Sequence, residues 1–435
     1  MNSVVGGGIA VPQDWTPMRL SRGLIAMQDG THGSFDRVPD GVPLLSAKNV
    51  RNEGLKVDET ESLIAADDSA SITANGFPKF GDVLLTIVGT VGRSTVYLEK
   101  GRLAFQRSVC FLRPDPLIDS HFLNYFLQSR YFQDQLTARS KSAAQAGVYL
   151  GDVAACAILR PPLDEQRQIA EYLDRETGKI DELIAKQEQL VVTLTERRQA
   201  EIYFAVTKGL DIHVSRKSSC VLWAGDIPSH WTVPRVAHGF MTLLGKMVNE
   251  GRTESGAVIE APYLRAGNVQ PYGLDITEVK RMPFSEAELR SLAILRGDLI
   301  VVEGGQGGYG RSAIAESDLR GWAFQNHVMR VRPTGMDRNR FLDYILKAMR
   351  ASGFIASLSS HASLPSFSAD KLKSTRYPRP PVNEQDKIVD YLDSTTVLID
   401  QIVAKSAETI ALLRERRAAL ISAAVTGKID VRELT

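Results

Sequence analysis

Residues 161–174 read PPLDEQRQIAEYLD, and residues 380–393 read PPVNEQDKIVDYLD. The register between them is 219 residues and holds without a gap through residues 212 and 431. Ile180-Asp181 returns as Ile399-Asp400, Glu196-Arg197-Arg198 as Glu415-Arg416-Arg417, and Ala205-Val206-Thr207 as Ala424-Val425-Thr426. An ungapped repeat of this length is the first thing to explain, because a missed repeat misassigns the whole fold. Each copy reads as one long helix. The Pro-Pro pairs punctuate the start, since a proline bars the residue before it from helix. Asp164 and Asn383 are good N-cap types, and Glu165 and Glu384 follow where the helix dipole favours an anion. Leu173, Ile180, Gln187 and Leu194 fall seven apart, with Ile169, Leu183 and Leu190 placed between them. The second helix repeats the stripe as Leu392, Ile399, Ser406 and Leu413, with Ile388 and Ile402, and Tyr172 and Tyr391 flank its start. Sustained heptads predict coiled-coil packing. Two matched helices in one chain can pair with each other, and an antiparallel pairing would place a head at each end of a spacer.

Working outward, the segments before each helix also repeat, more loosely. VPQDW (11–15) returns as IPSHW (227–231), PLLSAKNV (43–50) as PYLRAGNV (262–269), and GDVLLTIVG (81–89) as GDLIVVEGG (297–305). Gly92-Arg93-Ser94 answers Gly310-Arg311-Ser312, AFQRSVCFLRP (104–114) answers AFQNHVMRVRP (323–333), and FLNYFL (122–127) answers FLDYIL (341–346). Short runs such as VLLTIV, STVYL, VCFLR, DLIVV and VMRVR, broken by Gly, Pro, Asn and Asp, read as strands. The fold class is therefore α+β: two pseudo-repeated, mostly-β heads separated by two long helices forming an antiparallel coiled coil. The divisions are 1–160, 161–222, 223–379 and 380–435.

The chain has 435 residues, with 52 Lys+Arg against 51 Asp+Glu. The charge is uneven: residues 11–160 carry 16 basic and 16 acidic side chains, whereas residues 223–379 carry 20 and 15. Three scattered cysteines give neither a disulfide framework nor a zinc site, and no metal-ligand spacing joins the histidines. Met1–Ala10 lacks a basic and apolar leader pattern, and no apolar run reaches the roughly 20 residues that span a bilayer. A cytoplasmic protein without a membrane partner is the expectation. Catalysis is not legible. Gly305-x-Gly307-x-x-Gly310 has dinucleotide-loop spacing, but RSAIAESDLRG after it lacks a helix pattern, so it reads as a turn. No phosphate-binding P-loop and no adenine-methyltransferase motif is present.

Recognition is the better reading of the repeated polar positions. Arg, Lys, Asn and Gln pair with base edges and hold phosphates. Asn49/Asn268 and Gln106/Gln325, the same in both copies, fit loop closure. Residues reading different sequences should differ between copies, so the divergent loops join the repeated positions as candidates. The DNA-binding candidates are Arg22, His32, Lys48, Lys56, Lys79, Arg93 and Arg107 in the first head. In the second they are Arg252, Arg265, Lys280, Arg281, Arg311, Asn326 and His327.

The two PP-x-[DN]-EQ-xx-I-xx-YLD helix starts, the two [IV]P-xx-W segments, the two GD-[VL]-[LI] strands and the repeated order together resemble the specificity subunit of type I restriction–modification enzymes. The resemblance covers nearly the whole chain. It implies two target recognition domains, each reading one half of a bipartite double-stranded DNA site, with the helices as spacer. It also implies a non-catalytic subunit holding two modification (methyltransferase) subunits and joined by restriction/translocase subunits. S-adenosylmethionine, ATP and Mg would then be cofactors of those partners and not of this chain. The near-neutral first head departs from a lone DNA binder, which suggests that partners help clamp the duplex. The alternative is a stand-alone tandem DNA-binding or scaffold protein.

Overall fold

A computed structural model describes residues 4–5, 9–10, 12–74, 76–140, 147–247, 258–305, 308–358 and 365–433. The two repeated segments are helices of 46 residues, Leu163–Lys208, and 44 residues, Val382–Val425. They start one residue before Asp164 and Asn383, which therefore lie inside the first turn and are not the caps. The chain forms two compact units, and neither is contiguous in sequence. Unit 1 is Met1–Glu188 with Ala407–Thr435; unit 2 is Gln189–Ser406. Each thus owns one head, half of the first long helix and the opposite half of the second.

Inside each unit the two half-helices run antiparallel. In unit 1, Arg417 Nε donates to Asp181 at 2.9 Å and Arg414 Nη2 lies 2.8 Å from Glu188. In unit 2, Arg198 Nε lies 3.1 Å from Asp400 and the Tyr391 hydroxyl donates to Glu201 at 2.9 Å. Arg198 and Arg417 are repeat equivalents, as are Asp181 and Asp400, so the pairing obeys an internal twofold rule.

The stripe that faces inward differs from the one expected. Ile169, Leu173, Ile180, Ile388, Leu392 and Ile399 are buried, and Leu194, Leu413 and Tyr172 are half-buried. Leu183 and Leu190, at 48% and 38% exposure, and Ile402, at 38%, are not in the seam. Tyr391 is also exposed but hydrogen-bonded. The inward positions between the sevenfold row are Thr177, Ile184, Val191 and Arg198, answered by Thr396, Val403, Ile410 and Arg417. The steps are therefore four then three, not three then four. Ser406 is buried at 4% exposure, a polar seam position that costs stability and favours one register.

Among the described residues each head holds a four-stranded and a three-stranded sheet, beside shorter two-stranded pairings. In the first, Ser94–Val96, Val83–Thr86, Val109–Pro114 and Leu24–Asp29 form an antiparallel sheet in that order. Ala104–Phe105 pairs parallel with Val42–Leu45, whose other neighbour is Leu63–Ile64. The second head repeats the plan with Phe240–Leu244, Val328–Pro333, Leu299–Val302 and Ser312–Ile314, and with Lys280–Phe284, Ile259–Leu264 and Ala323–Phe324. The main core of unit 1 joins Phe122, Phe126 and Phe132 to Ile169 and Leu173 of one long helix and Ile421, Ala424 and Val425 of the other. The core of unit 2 joins Phe341 and Ile345 to Ile202, Val206, Ile388 and Leu392.

The repeated motifs are the fasteners of this packing. In GD-[VL]-[LI], the buried carboxylate of Asp82 takes two hydrogen bonds from Arg113, and that of Asp298 two from Arg332. The glutamine of PPxxEQ locks the helix start: Gln166 donates to the Leu117 and Pro161 carbonyls and accepts from the Asp119 N–H. Gln385 donates to the Asp337 carboxylate and the Pro380 carbonyl and accepts from the Arg338 N–H. The tyrosine of FLNYFL or FLDYIL reaches the aspartate of YLD, Tyr125 to Asp174 at 2.7 Å and Tyr344 to Asp393 at 2.5 Å. Burial, reinforced by those carboxylates, pushes both phenols above their ordinary pKa, so they remain donors. Tyr125→Phe is expected to cost about 1–2 kcal/mol. Tyr344→Phe should cost less, because Arg340 Nε still holds Asp393 at 2.9 Å. The urea midpoints of the two variants check the order. At the helix ends, Gly209 and Gly427 adopt φ of 74° and 71° beneath Trp231 and Trp15, where an added Cβ would lie 3.2 and 3.5 Å from the indoles.

Candidate nucleic-acid interface

One turn in each head gathers candidates from three segments. In the first head it is Gln106–Ser108, between the short parallel strand and the long strand Val109–Pro114. Gln106 N donates to the Leu45 carbonyl, Arg107 N to Thr31, and Ile87 N to Ser108. The Ser108 hydroxyl accepts from the Ala47 N–H at 3.0 Å, which ties the Lys48 loop to the same turn. In the second head Gln325 N donates to Leu264, Asn326 N to Lys246, and Glu303 N to His327. The backbone frame is the same, and the side chains on it are not. Arg107 stands where the second head has Asn326, and Ser108 where it has His327.

The structure therefore brings Arg107, Lys48 and His32 to one place, and Asn326, His327 and Arg265 to its counterpart. Arg107 and His327 are exposed, and Asn326 is half-buried. His32 Nε2 lies 2.8 Å from Asp29, and Lys48 Nζ lies 2.7 Å from Glu61. The Lys48 hydrogen bond holds the Glu61 carboxyl below its usual range, so this lysine is partly committed to the loop. In the second head, burial holds Glu303 above its usual range, with His327 acting in the opposite direction. Lys280 sits opposite Tyr263 in the strand leading to Arg265, and the Arg281 guanidinium donates to the Glu260 carbonyl.

Other candidates lie elsewhere. Arg22 and Lys79 are exposed at the far end of the sheet, where Pro114 pairs with Leu24 and Lys79 N donates to Asp82. Six strand residues separate the two ends, about 20 Å. Lys56 is exposed and 3.8 Å from Asp58. Arg93 is half-buried, and Arg311, its repeat equivalent, donates to the Ala266 carbonyl at 3.1 Å. Arg252 lies outside the described residues. Asn49 and Asn268 each accept an N–H from their own loop, Ser46 and Arg265, and donate to carbonyls seven residues on, Lys56 and Asp275. They close loops.

Among the described residues no group of three or more His, Cys, Asp or Glu side chains could hold a metal ion, and no helix is long and apolar enough to cross a membrane. The family model of the Type I restriction modification DNA specificity domain matches twice, over residues 41–192 and 252–410. The chain belongs to this family. The double match coincides with the two heads and the helix halves that follow them. The chain is 23% identical over 402 residues to the Type I restriction enzyme EcoKI specificity subunit of Escherichia coli K12, covering 90% of this chain and 83% of that one. It is 23% identical over 437 residues to the putative type I restriction enzyme MjaX specificity subunit of Methanocaldococcus jannaschii, covering 97% and 95%. A solved structure from work on complex assembly and conformational transition of the type I R-M system superposes with a TM-score of 0.69 at 16% identity, over 96% of this chain. That likeness supports the fold: mixed α+β, with two long helices packed on each other.

What the sequence left out were the fasteners. Tyr125, Tyr344, Gln166 and Gln385 stand in the repeated motifs, and their repetition alone was the signal that they do something common to both heads. The neighbours of Arg311, namely Lys347 and Arg350, carried no such signal because the first head lacks them.

Proposed function

We propose that this chain is the DNA-reading subunit of a type I restriction–modification complex, with each head reading one half of a bipartite target. The observation that carries this is the shared turn with exchanged side chains. A common backbone frame places position 107/326 identically in both heads, while Arg107 suits guanine O6 and N7 and Asn326 suits adenine N6 and N7. Methyltransferase subunits, bringing S-adenosylmethionine, would supply the chemistry, and restriction/translocase subunits would bring ATP and Mg. This chain itself contributes selectivity and is not catalytic in this reading. The balanced charge of the first head favours an assembly that shares phosphate contacts over a chain that binds tightly by itself.

The test is target binding by the complex of this chain with its methyltransferase subunit. Arg107→Ala is expected to lose about 1–3 kcal/mol of discrimination at one base position of one half-site. The other half-site and the slope of affinity against salt should change little. Equal weakening on every sequence, with no loss of discrimination, would make Arg107 a phosphate contact and move the reading surface elsewhere.

A further inference from the structure

The second head carries a cavity of about 140 Å³ between its glycine-rich loop and the first long helix. Arg198, Ile202, Pro271, Arg311, Lys347 and Arg350 line it, and no carboxylate is among the lining residues. Arg198 pairs with Asp400 and Lys347 with the buried Asp343, both carboxylates lying outside the cavity. The Arg311 guanidinium instead donates to neutral acceptors, the Ala266 carbonyl and Gln270 Oε1, and its buried Nε has no hydrogen-bond partner among the described residues. Burial first, and then the charge of Arg350, depress its pKa. A positive charge concentrated in a partly dehydrated cavity calls for an anion.

The loop explains why the cavity exists. Gly308 lets the Arg311 guanidinium lie against the backbone, since a Cβ there would stand 2.8 Å from Nη2. Gly310, at φ 76°, packs against Ile355. Three described N–H groups of the loop are spent on the protein's own carbonyls: Gly308 N donates to Gly305, Gly310 N to Val302 and Arg311 N to Gly308. Gly307 lies outside the described residues, and the described part of the loop positions an arginine. The first head is an internal contrast, because Gln128 and Tyr131 stand where the second has Lys347 and Arg350. There Gln128 Nε2 is spent on the Ser94 carbonyl at 3.3 Å.

We propose that this cavity, formed by Arg311, Lys347, Arg350 and Arg198, binds a phosphate-class oxyanion, and that it is a property of the second head alone. The occupant is either a phosphate of the DNA backbone or a free phosphate group, and the chemistry is the same for both. Titrating the full chain with inorganic phosphate at constant ionic strength, by calorimetry, does not depend on the DNA-reading role. Saturable binding weakened at least about tenfold in Arg350→Glu, with Gln128→Ala unaffected, is expected. Arg311→Gln is the second variant, with its melting temperature checked beside it. Salt dependence of DNA binding by the methyltransferase complex separates the sources. A log–log slope smaller by about 0.9 in Arg350→Gln, with target sequence unchanged, assigns the site to a DNA phosphate. An unchanged slope with phosphate binding retained in the wild type assigns it to a free one. Absence of saturable phosphate binding together with an unchanged slope overturns the proposal.

Discussion

Leu173→Asp is expected to unfold unit 1 under conditions where Leu183→Asp does not. Both leucines lie on the same long helix, ten residues apart. Leu173 is fully buried in a core shared by Phe122, Phe126 and Ile421, whereas Leu183 is 48% exposed. Removing a buried leucine side chain costs about 2–5 kcal/mol, and an unpaired carboxylate left in its place adds its own desolvation penalty. The sum is on the order of the whole stability of a domain. At the exposed position the same change should stay within about 0.5 kcal/mol. Thermal or urea unfolding of the two variants reads the difference directly. Equal damage from both would contradict the four-then-three seam. The repeat equivalents extend the test to unit 2, where Leu392→Asp should match Leu173→Asp.

Replacing residues 223–379 by the equivalent segment of a relative is expected to change one half of the target and leave the other untouched. The structural ground is that the second head and its helix halves form one compact unit. The graft must keep the fasteners: an indole at 231 for Glu384, a tyrosine at 344 for Asp393, and an aspartate at 337 for Gln385. With those kept, the affinity for the unchanged half should hold, while discrimination at the exchanged half moves by several kcal/mol, at about 1–3 per mismatched base pair. Methylation specificity of the chimaera, sequenced genome-wide, is the readout. A change in both halves would contradict two independent reading heads.

The repeat made the architecture legible, since a helix written twice at constant register can bury its stripe against its copy. The seam runs one position away from the apolar row, because Leu183, Leu190 and Ile402 are apolar without being buried. The residues that do face inward include Thr177, Arg198 and Arg417, whose polar side chains hide their position in any count of hydrophobic residues. Arg198 and Arg417 are inward because each has an aspartate waiting on the other helix. The site was less legible. Arg107 and Asn326 are legible because they sit at the same repeated position in both copies. Arg22 and Lys79, which divergence between the loops points to, lie at the opposite end of the sheet, since sequence gives no hint of which strand end a loop occupies. Arg311 was visible as a repeated arginine, but its cavity depends on Lys347 and Arg350, which come from a helix about 40 residues away.

Adenine-methylation mapping of DNA from cells that co-express this chain with its methyltransferase subunit decides whether the two heads read two halves of one target. The expected result is a bipartite motif, two short specified halves around an unspecified gap, methylated only when this chain is present. A contiguous motif, or no new methylation from a soluble and assembled complex, would contradict it.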